Sequence, residues 1–250
     1  MYLYSAISLY VCAGNKIMEL VRLNKHLKDL NICSRRKADE FIAKGYIKVN
    51  GQVVTELGFK LDPTTDKVEL LSGVAEEKAQ FRYILLNKPK GYVCSKSHAD
   101  GKPIFELLPQ IKDLTYAGRL DKESHGLVIL SNDGKFVYKV FGAEFAKEKE
   151  YIVRVNKPVT AEYLARQANG SIVLDDKQLR PAKVKQIGDS VYKITLTEGV
   201  NRQLRRMAEV CDYRVIDLKR IRIHCVNDYG LDSGAWRDLT PGEIKQIMAQ

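Results

Sequence analysis

The stretch GRLDKESHGL (118–127) places Asp121 two residues after Arg119, between two glycines, and it leads into the apolar run LVILS. A run of branched apolar residues predicts a buried strand. An aspartate in a glycine-bounded loop is usually a turn residue. Next to a buried strand, however, a carboxylate must be paired or protonated, and an arginine partner would keep it an anion and a potential nucleophile. The local pattern leaves both interpretations of Asp121 open, and it favours a solvated turn for Lys122, Glu123 and His125.

A second cluster of charge lies in NRQLRRM, where Arg202, Arg205 and Arg206 fall within two turns of a predicted helix. Residues three apart share one side of a helix, so Arg202 and Arg205 point in similar directions. Cations this close repel one another unless an anion lies between them, either a phosphate or a buried carboxylate. A solvated helix face is the alternative on spacing alone.

The composition limits the class of partner and of site. The 250 residues contain 41 Lys and Arg against 31 Asp and Glu, a net charge of +10, which favours a polyanion such as nucleic acid over the alternative of chance basicity. The 5 cysteines are widely spaced, form no CxxC pair and accompany only 4 histidines. This pattern argues against a disulfide framework and a metal site, and it fits a reducing cytoplasm.

The N-terminus is unlike the rest of the chain, because residues 1–14 carry no charge and are mostly apolar. This run is too short to span a bilayer and lacks the basic start of a signal peptide. We therefore interpret residues 1–19 as a disordered extension, with a signal anchor as the alternative.

Residues 20–71 are predicted to form a small unit of two helices and a sheet. Leu23, Leu27 and Leu30 recur at helical spacing, and Ser34 is a suitable N-cap for RRKADEFIAK, which Gly45 ends. YIKVNGQVV is typical of a hairpin with an Asn-Gly turn.

The polar segment 72–80 is interpreted as a linker, and residues 81–250 as a second domain. In this second domain the predicted strands outnumber the helices and do not alternate regularly with them. The fold class is therefore expected to be α+β rather than a doubly wound sheet.

The N-terminal pattern RLNKHLKDLNICSRRKADEFIAKGYIKVNG resembles the S4 RNA-binding domain. The resemblance implies docking on structured RNA through Lys25, Arg35 and Arg36, with contacts to phosphates rather than to bases. A solvated helix face would explain the charge of these residues by itself, so this expectation comes from the resemblance.

Three further motifs, in order, resemble those of pseudouridine synthases: YAGRLDKESHGLVILSNDG, KEYIVRV and EGVNRQLRRM. They match the branch that contains RsuA, RluB and RluF, in which an S4 domain precedes the catalytic domain. The resemblance implies a catalytic domain built on a mixed, mainly antiparallel sheet with flanking helices. GVNRQLRRM and GAWRDLTPGEI are most similar to the RluF type, which implies 23S ribosomal RNA as substrate.

The resemblance also implies the reaction and the residues that perform it. Uridine would become pseudouridine by exchange of the N1–C1′ bond for a C5–C1′ bond, without a cofactor. Asp121 would be the essential carboxylate, whether it attacks the sugar, attacks C6 of uracil or removes a sugar proton. The other implied roles are base stacking and proton transfer for Tyr151, an ion pair with Asp121 for Arg205, handling of the flipped base for Arg119, packing beneath the base for Leu204, and RNA contacts for Arg202, Arg206 and the strand DLKRIRIH.

Other functions remain compatible with the sequence. A non-catalytic RNA-binding or ribosome-assembly protein would share the S4-like unit and the charge, but it would not need GRLD, the tyrosine motif and the arginine motif together. The same enzyme class could act on 16S ribosomal RNA or tRNA, and on free RNA or a ribosome precursor. A monomer is expected.

Overall fold

The computed structural model describes residues 20–30, 32–74, 81–111 and 113–249. Contacts within the chain divide it between Gln80 and Phe81 into two compact units. The expected extension (1–19) and most of the expected linker lie outside the described residues. Within the part of the chain that the structure describes, no helix is long and apolar enough to cross a membrane.

The N-terminal unit packs two short helices against small sheets. Its elements are β1 (Val21–Arg22), α1 (Leu23–Asp29), α2 (Arg35–Ala43), β2 (Ile47–Val49), β3 (Gln52–Val53), β4 (Lys60–Leu61) and β5 (Val68–Leu70). β1 pairs with β4, and β3, β2 and β5 form an antiparallel sheet.

Local sequence signals explain the helix ends and the hairpin of this unit. Ser34 Oγ accepts a hydrogen bond from the backbone N–H of Lys37 at 3.2 Å, as an N-cap does. Asn50 and Gly51 both have positive φ (51° and 80°), which suits the tight turn between β2 and β3. Leu23 and Leu27 are buried, whereas Leu30, expected on the same apolar stripe, lies past the end of α1 and is exposed.

The C-terminal unit is built on one large sheet. Its strands are β6 (Tyr83–Lys88), β7 (Tyr92–Val93), β8 (Lys102–Pro103), β9 (Thr115–Ala117), β10 (His125–Ser131), β11 (Lys149–Val155), β12 (Val173–Leu174), β13 (Lys177–Gln178), β14 (Lys183–Gly188), β15 (Val191–Leu196), β16 (Val215–Ile223), β17 (Val226–Asn227) and β18 (Trp236–Asp238). Its α-helices are α3 (Gly134–Phe141), α4 (Ala161–Ala168), α5 (Gln203–Glu209) and α6 (Pro241–Met248), and 3-10 turns lie at Ile104–Leu107 and Ala143–Phe145.

The large sheet has the order β14-β15-β11-β16-β10-β6-β18, with β9 beside β10 and β17 beside β16. β10 and β16 run parallel, and the other neighbours run antiparallel. The expected α+β class and the mixed, mainly antiparallel sheet are therefore confirmed.

Each face of this sheet carries its own apolar layer, because alternate residues of a strand point to opposite faces. On β10, Leu127 and Ile129 join a cluster with Phe136 of α3 and Ile247 of α6. Val128 belongs to the cluster on the other face, which also contains residues of β11, β16, α4 and α5. The candidate functional side chains of the sheet, described below, lie on this second face.

Candidate active site

The loop between β9 and β10 is held close to its neighbours at two glycines. Gly118 has φ +81°, and a Cβ there would lie 1.7 Å from the ring of Phe141. Gly126 has φ +105°, pairs with Arg220 across the parallel strands, and would place a Cβ 2.2 Å from the carbonyl oxygen of Arg220. Both positions need glycine for backbone conformation and for space, so the glycines fix the path of the loop that carries Asp121.

Asp121 lies on a cavity of about 470 Å³. Its carboxylate oxygen Oδ2 is 3.8 Å from Nε of Arg205 and 3.9 Å from Nη1 of Arg202. Both distances are ion-pair contacts that exceed hydrogen-bond length. The side chain of Asp121 is 30% exposed, so the carboxylate remains open to the cavity while two cations stand beside it.

Arg205 is buried and anchored independently of Asp121. Its Nη2 donates to Ser124 Oγ at 3.1 Å and its Nη1 to the carbonyl oxygen of Val215 at 3.4 Å. Nε, the atom nearest Asp121, has no hydrogen-bond partner among the described residues. The guanidinium is thus held in place with one donor free for the carboxylate.

Arg202 approaches Asp121 from the surface. It precedes α5 in a left-handed conformation (φ 50°), and its Nη1 also lies 3.3 Å from Oε2 of Glu123. A hydrogen bond from the backbone N–H of Glu123 and the contact with Arg202 hold the pKa of the Glu123 carboxyl below its usual value. The proximity of Arg202 to Asp121 was not expected from the sequence, where the residue was assigned to RNA contacts.

One face of the sheet forms what we call the floor of the cavity. It consists of Lys149, Tyr151, Leu196, Leu218 and Arg220. Tyr151 of β11 pairs directly with Arg220 of β16, so these side chains are cross-strand neighbours on the same face. Leu204 of α5 also lines the cavity.

Arg220 is 1% exposed and donates hydrogen bonds at both ends of the loop that carries Asp121. Its Nε donates to the carbonyl oxygen of Leu127 at 2.6 Å, and its Nη1 donates to that of Arg119 at 3.4 Å. Its Nη2 is buried and has no hydrogen-bond partner in the described part of the chain.

Two buried lysines lie near this floor. The Lys88 ammonium donates to the carbonyl oxygens of Pro89 (2.9 Å) and Tyr92 (2.7 Å), and burial lowers its pKa to about 8. The Lys149 ammonium donates to the carbonyl oxygen of Lys147 at 2.9 Å and lies 4.9 Å from the centre of the Phe141 ring. Burial, together with the charge of Arg220, lowers the pKa of Lys149 to about 8.

What we call the rim of the cavity consists of Arg119, Lys122 and Arg202, three exposed cations that line it. Exposed cations around a half-buried carboxylate, a tyrosine and two buried cations suit a polyanionic chain from which one neutral group enters the cavity.

Comparison with known proteins decides the family. Residues 82–210 match the model described as RNA pseudouridylate synthase, and residues 21–67 match the S4 domain. The chain belongs to the RNA pseudouridine synthases. It is therefore an enzyme of the class recognised in its three motifs, joined to an S4 domain.

Individual relatives of the synthase cover most of the chain. It is 39% identical to the dual-specificity RNA pseudouridine synthase RluF of Escherichia coli K12, over 90% of this chain and 77% of that protein. It is 37% identical to the ribosomal large subunit pseudouridine synthase B of Bacillus subtilis, over 91% of this chain and 96% of that protein. A crystal structure of a pseudouridylate synthase superposes with a TM-score of 0.67 and 28% identity, over 91% of this chain and 99% of that one.

Some residues of the synthase lie elsewhere than the sequence indicated. Arg206 makes a bidentate ion pair with Asp175 in the β12–β13 turn, with both N–O distances 2.7 Å. It does not line the cavity, so any contact of Arg206 with RNA would have to compete with Asp175.

The cations of the strand DLKRIRIH (217–224), which the resemblance implies as RNA contacts, are paired within the protein or buried. Lys219 pairs with Asp228 at 3.2 Å, and Arg222 pairs with Glu148 at 2.9 Å. Arg220 is buried. Any contact of the half-buried Lys219 and Arg222 with RNA would have to compete with these ion pairs, which an alternating charge pattern does not reveal.

His125 is not a loop residue but the first residue of β10. Its Nε2 is 3.2 Å from Oδ1 of Asp217, which also pairs with Lys90. Burial acts to raise the pKa of the Asp217 carboxyl, but hydrogen bonds from Lys90 and His125 outweigh it and keep the pKa below its usual value. The pairing of β10 with β16 thus places His125 in a structural contact with Asp217.

The S4 unit presents Lys25, Arg35 and Arg36 as exposed side chains. None of the three has an ion pair or hydrogen bond from its side chain to another described residue. Among the residues that the structure describes, no group of three or more histidine, cysteine, aspartate or glutamate side chains could hold a metal ion.

Proposed function

We propose that the synthase converts a uridine of 23S ribosomal RNA into pseudouridine, with Asp121 as the catalytic carboxylate. The observation that carries this proposal is that Asp121, Tyr151 and Arg205, from three separate parts of the chain, line one cavity. The relative from Bacillus subtilis, named for the ribosomal large subunit, supports the choice of RNA.

The reaction needs a nucleotide to leave its stack, which costs a few kcal/mol. The N1–C1′ bond then breaks with its electron pair on uracil, and the Asp121 carboxylate compensates the electron-poor sugar. Uracil turns, C5 bonds to C1′, the proton on C5 leaves, and N1 takes up a proton. No atom is gained or lost and no redox change occurs, so we propose that no cofactor takes part.

The geometry supports distinct roles within the cavity. Arg205, buried and 3.8 Å from Asp121, forms the ion pair that orients the carboxylate. Tyr151, 8% exposed on the floor, stacks on uracil and is suited to proton transfer at C5, and Leu204 packs against the base. Arg119 and Arg202, exposed at the rim, hold the backbone around the flipped nucleotide.

We propose that residues 20–71 act as the S4 RNA-binding domain, that 72–80 connect it, and that 81–250 form the catalytic domain. Exposed Lys25, Arg35 and Arg36 contact phosphates of structured RNA. The protein acts as a monomer in the cytoplasm, on ribosomal RNA or on a ribosome precursor.

Mapping pseudouridine in a strain that lacks the gene, and in its parent, tests the substrate. The expected result is loss at a defined position of 23S ribosomal RNA, restored by the wild-type gene and not by Asp121→Asn. Loss of pseudouridine only from 16S ribosomal RNA or tRNA would show that this RNA, and not 23S ribosomal RNA, is the substrate. Unchanged pseudouridine in all three RNAs would reject this function and favour the ribosome-assembly role.

A further inference from the structure

We propose that Lys149 and Arg220 are two further catalytic residues, which contact the flipped uracil and stabilise the negative charge that it acquires when the N1–C1′ bond breaks. This inference rests on the proposed function, because it concerns the same cavity and the same base.

The sheet places both cations beside the tyrosine that is proposed to stack on uracil. Lys149 and Tyr151 are two residues apart on β11 and share a face, and Arg220 lies opposite Tyr151 on β16. Both cations line the cavity, at 5% and 1% exposure. A base stacked on Tyr151 therefore lies within reach of both.

Neither cation is fully satisfied by the protein. Arg220 uses Nε and Nη1 on two carbonyl oxygens, but its buried Nη2 has no hydrogen-bond partner among the described residues. The Lys149 ammonium has three N–H donors, and the carbonyl oxygen of Lys147 is the one acceptor found for it in the described part of the chain. Buried donors without acceptors are rare in folded proteins and indicate an absent partner.

No carboxylate forms a direct ion pair with either cation among the described residues. In the ranges that the structure describes, neither Lys149 nor Arg220 has a carboxylate oxygen within ion-pair distance, although Glu198 lines the same cavity. Glu198 instead accepts hydrogen bonds from the backbone of Arg180 and the side chain of Gln203, both at 3.0 Å. Two buried like charges are costly unless an anion joins them.

The chemistry of the reaction supplies such an anion. Phosphates stay hydrated and meet the exposed rim, whereas the base enters the cavity and reaches the floor. Uracil is neutral in uridine and becomes anionic when it takes the electron pair of the N1–C1′ bond, with the charge spread over N1 and the two carbonyl oxygens. Buried donors set in place before the reaction stabilise such a developing charge strongly.

The test uses the full-length protein under single-turnover conditions, on an RNA fragment that contains the mapped target as uridine or as 5-fluorouridine. The variants are Lys149→Met and Arg220→Gln. Lys147→Met is the matched control, because Lys147 is a buried lysine that donates to the Ile247 carbonyl oxygen and does not line the cavity.

On uridine, each floor variant should lower the rate of N1–C1′ cleavage by about 10²-fold. RNA affinity should not change, because the ring is neutral before cleavage. On 5-fluorouridine, followed as loss of that nucleoside from the RNA, the deficit should be much smaller, since fluorine withdraws electrons and stabilises the anionic ring itself. Lys147→Met should match the wild type on both substrates.

Arg220→Gln also removes the two hydrogen bonds from Arg220 to the loop that carries Asp121, so Lys149→Met gives the decisive comparison. An equal deficit of Lys149→Met on both substrates would overturn the proposal and leave the pair with a structural role, as would a wild-type rate in the floor variants. If Arg220→Gln does not fold, Lys149→Met decides alone, because replacing an unpaired buried cation with an apolar side chain should not destabilise the protein. Failure of the wild type on uridine would reject the proposed function instead, whereas an active wild type with an equally active Lys149→Met would reject only this inference.

Discussion

The S4 unit and the cavity floor use the same residue types in opposite environments. Lys25, Arg35 and Arg36 are exposed, whereas Lys149 and Arg220 are buried in a separate unit of the chain. An exposed cation is hydrated, so it acts on phosphates mainly by releasing counterions. The charge of a buried cation is screened less by water, so it interacts more strongly with a group that enters the cavity. The comparison teaches that burial, rather than charge, separates the residues proposed to bind RNA from the residues proposed to act on the bond.

The largest effect on turnover should come from replacing Asp121, the proposed catalytic carboxylate. In purified protein, Asp121→Asn should lower pseudouridine formation on the order of 10⁴-fold or more. RNA affinity, measured by filter binding, should be close to that of the wild type because the rim and the S4 unit are untouched. Asp100→Asn, another carboxylate that lines the cavity, is the control and should retain activity. Turnover by Asp121→Asn close to that of the wild type would contradict the assignment.

Arg205 tests whether burial decides which cation matters to Asp121. Arg202 and Arg205 stand at nearly equal distances from Oδ2, but their side chains are 45% and 10% exposed. Arg205→Gln should lower the turnover number by roughly 10² to 10³-fold, as loss of a buried charge-stabilising group does. Arg202→Gln should act mainly through RNA affinity. If Arg202→Gln lowered the turnover number more than Arg205→Gln, the functional ion pair with Asp121 would be assigned to Arg202 instead.

The pH profile gives a third comparison, between two buried lysines. The pKa of Lys149 is lowered to about 8, first by burial and then by Arg220, while Glu198 opposes the shift. Lys149 is therefore charged below pH 8 and neutral above it, so the turnover number should fall as the pH rises through about 8, approaching tenfold per pH unit if the charge is essential.

Lys149→Met should remove this limb of the profile. Lys88 has a similar pKa, about 8, but is not in the lining of the cavity. Lys88→Met should therefore still show the fall in turnover number above pH 8. If this fall disappeared in Lys88→Met and persisted in Lys149→Met, it would be due to Lys88.

The smallest effect on turnover should come from the S4 unit. Replacing Lys25, Arg35 and Arg36 together with glutamine should weaken RNA binding and reduce the slope of log affinity against log salt by about two to three. The turnover number at saturating RNA should not change. The matched control is a triple replacement of Lys183, Lys185 and Lys193, exposed or half-exposed lysines of β14 and β15. Equal slopes in both variants would show that net charge, and not the S4 surface, binds the RNA.

Local signals predicted the local parts of the fold. The Ser34 cap, the turn at Asn50 and Gly51, and the Thr160 cap of α4 depend on residues within four positions of one another, and each is present. The α+β fold class followed from the number and order of strands, and the mixed, mainly antiparallel sheet followed from the family resemblance.

The parts of the site that were not predicted depend on strand register. Nothing local shows that Arg220 is buried opposite Tyr151 or that His125 meets Asp217, since those contacts arise from the pairing of β16 with β10 and β11. The spacing of Lys149 and Tyr151 is a signal that could have been used, because residues two apart on a strand share a face.

The two hydrogen bonds from Arg220 have a thermodynamic consequence for the enzyme. Because they hold the carbonyl oxygens of Arg119 and Leu127, the segment between them is tied at both ends before RNA arrives. The conformational entropy of ordering this segment is then lost once, during folding, and not in every catalytic cycle. The activation entropy of the bond-breaking step should therefore contain little contribution from the loop, and freeing the loop from Arg220 should make this activation entropy more unfavourable.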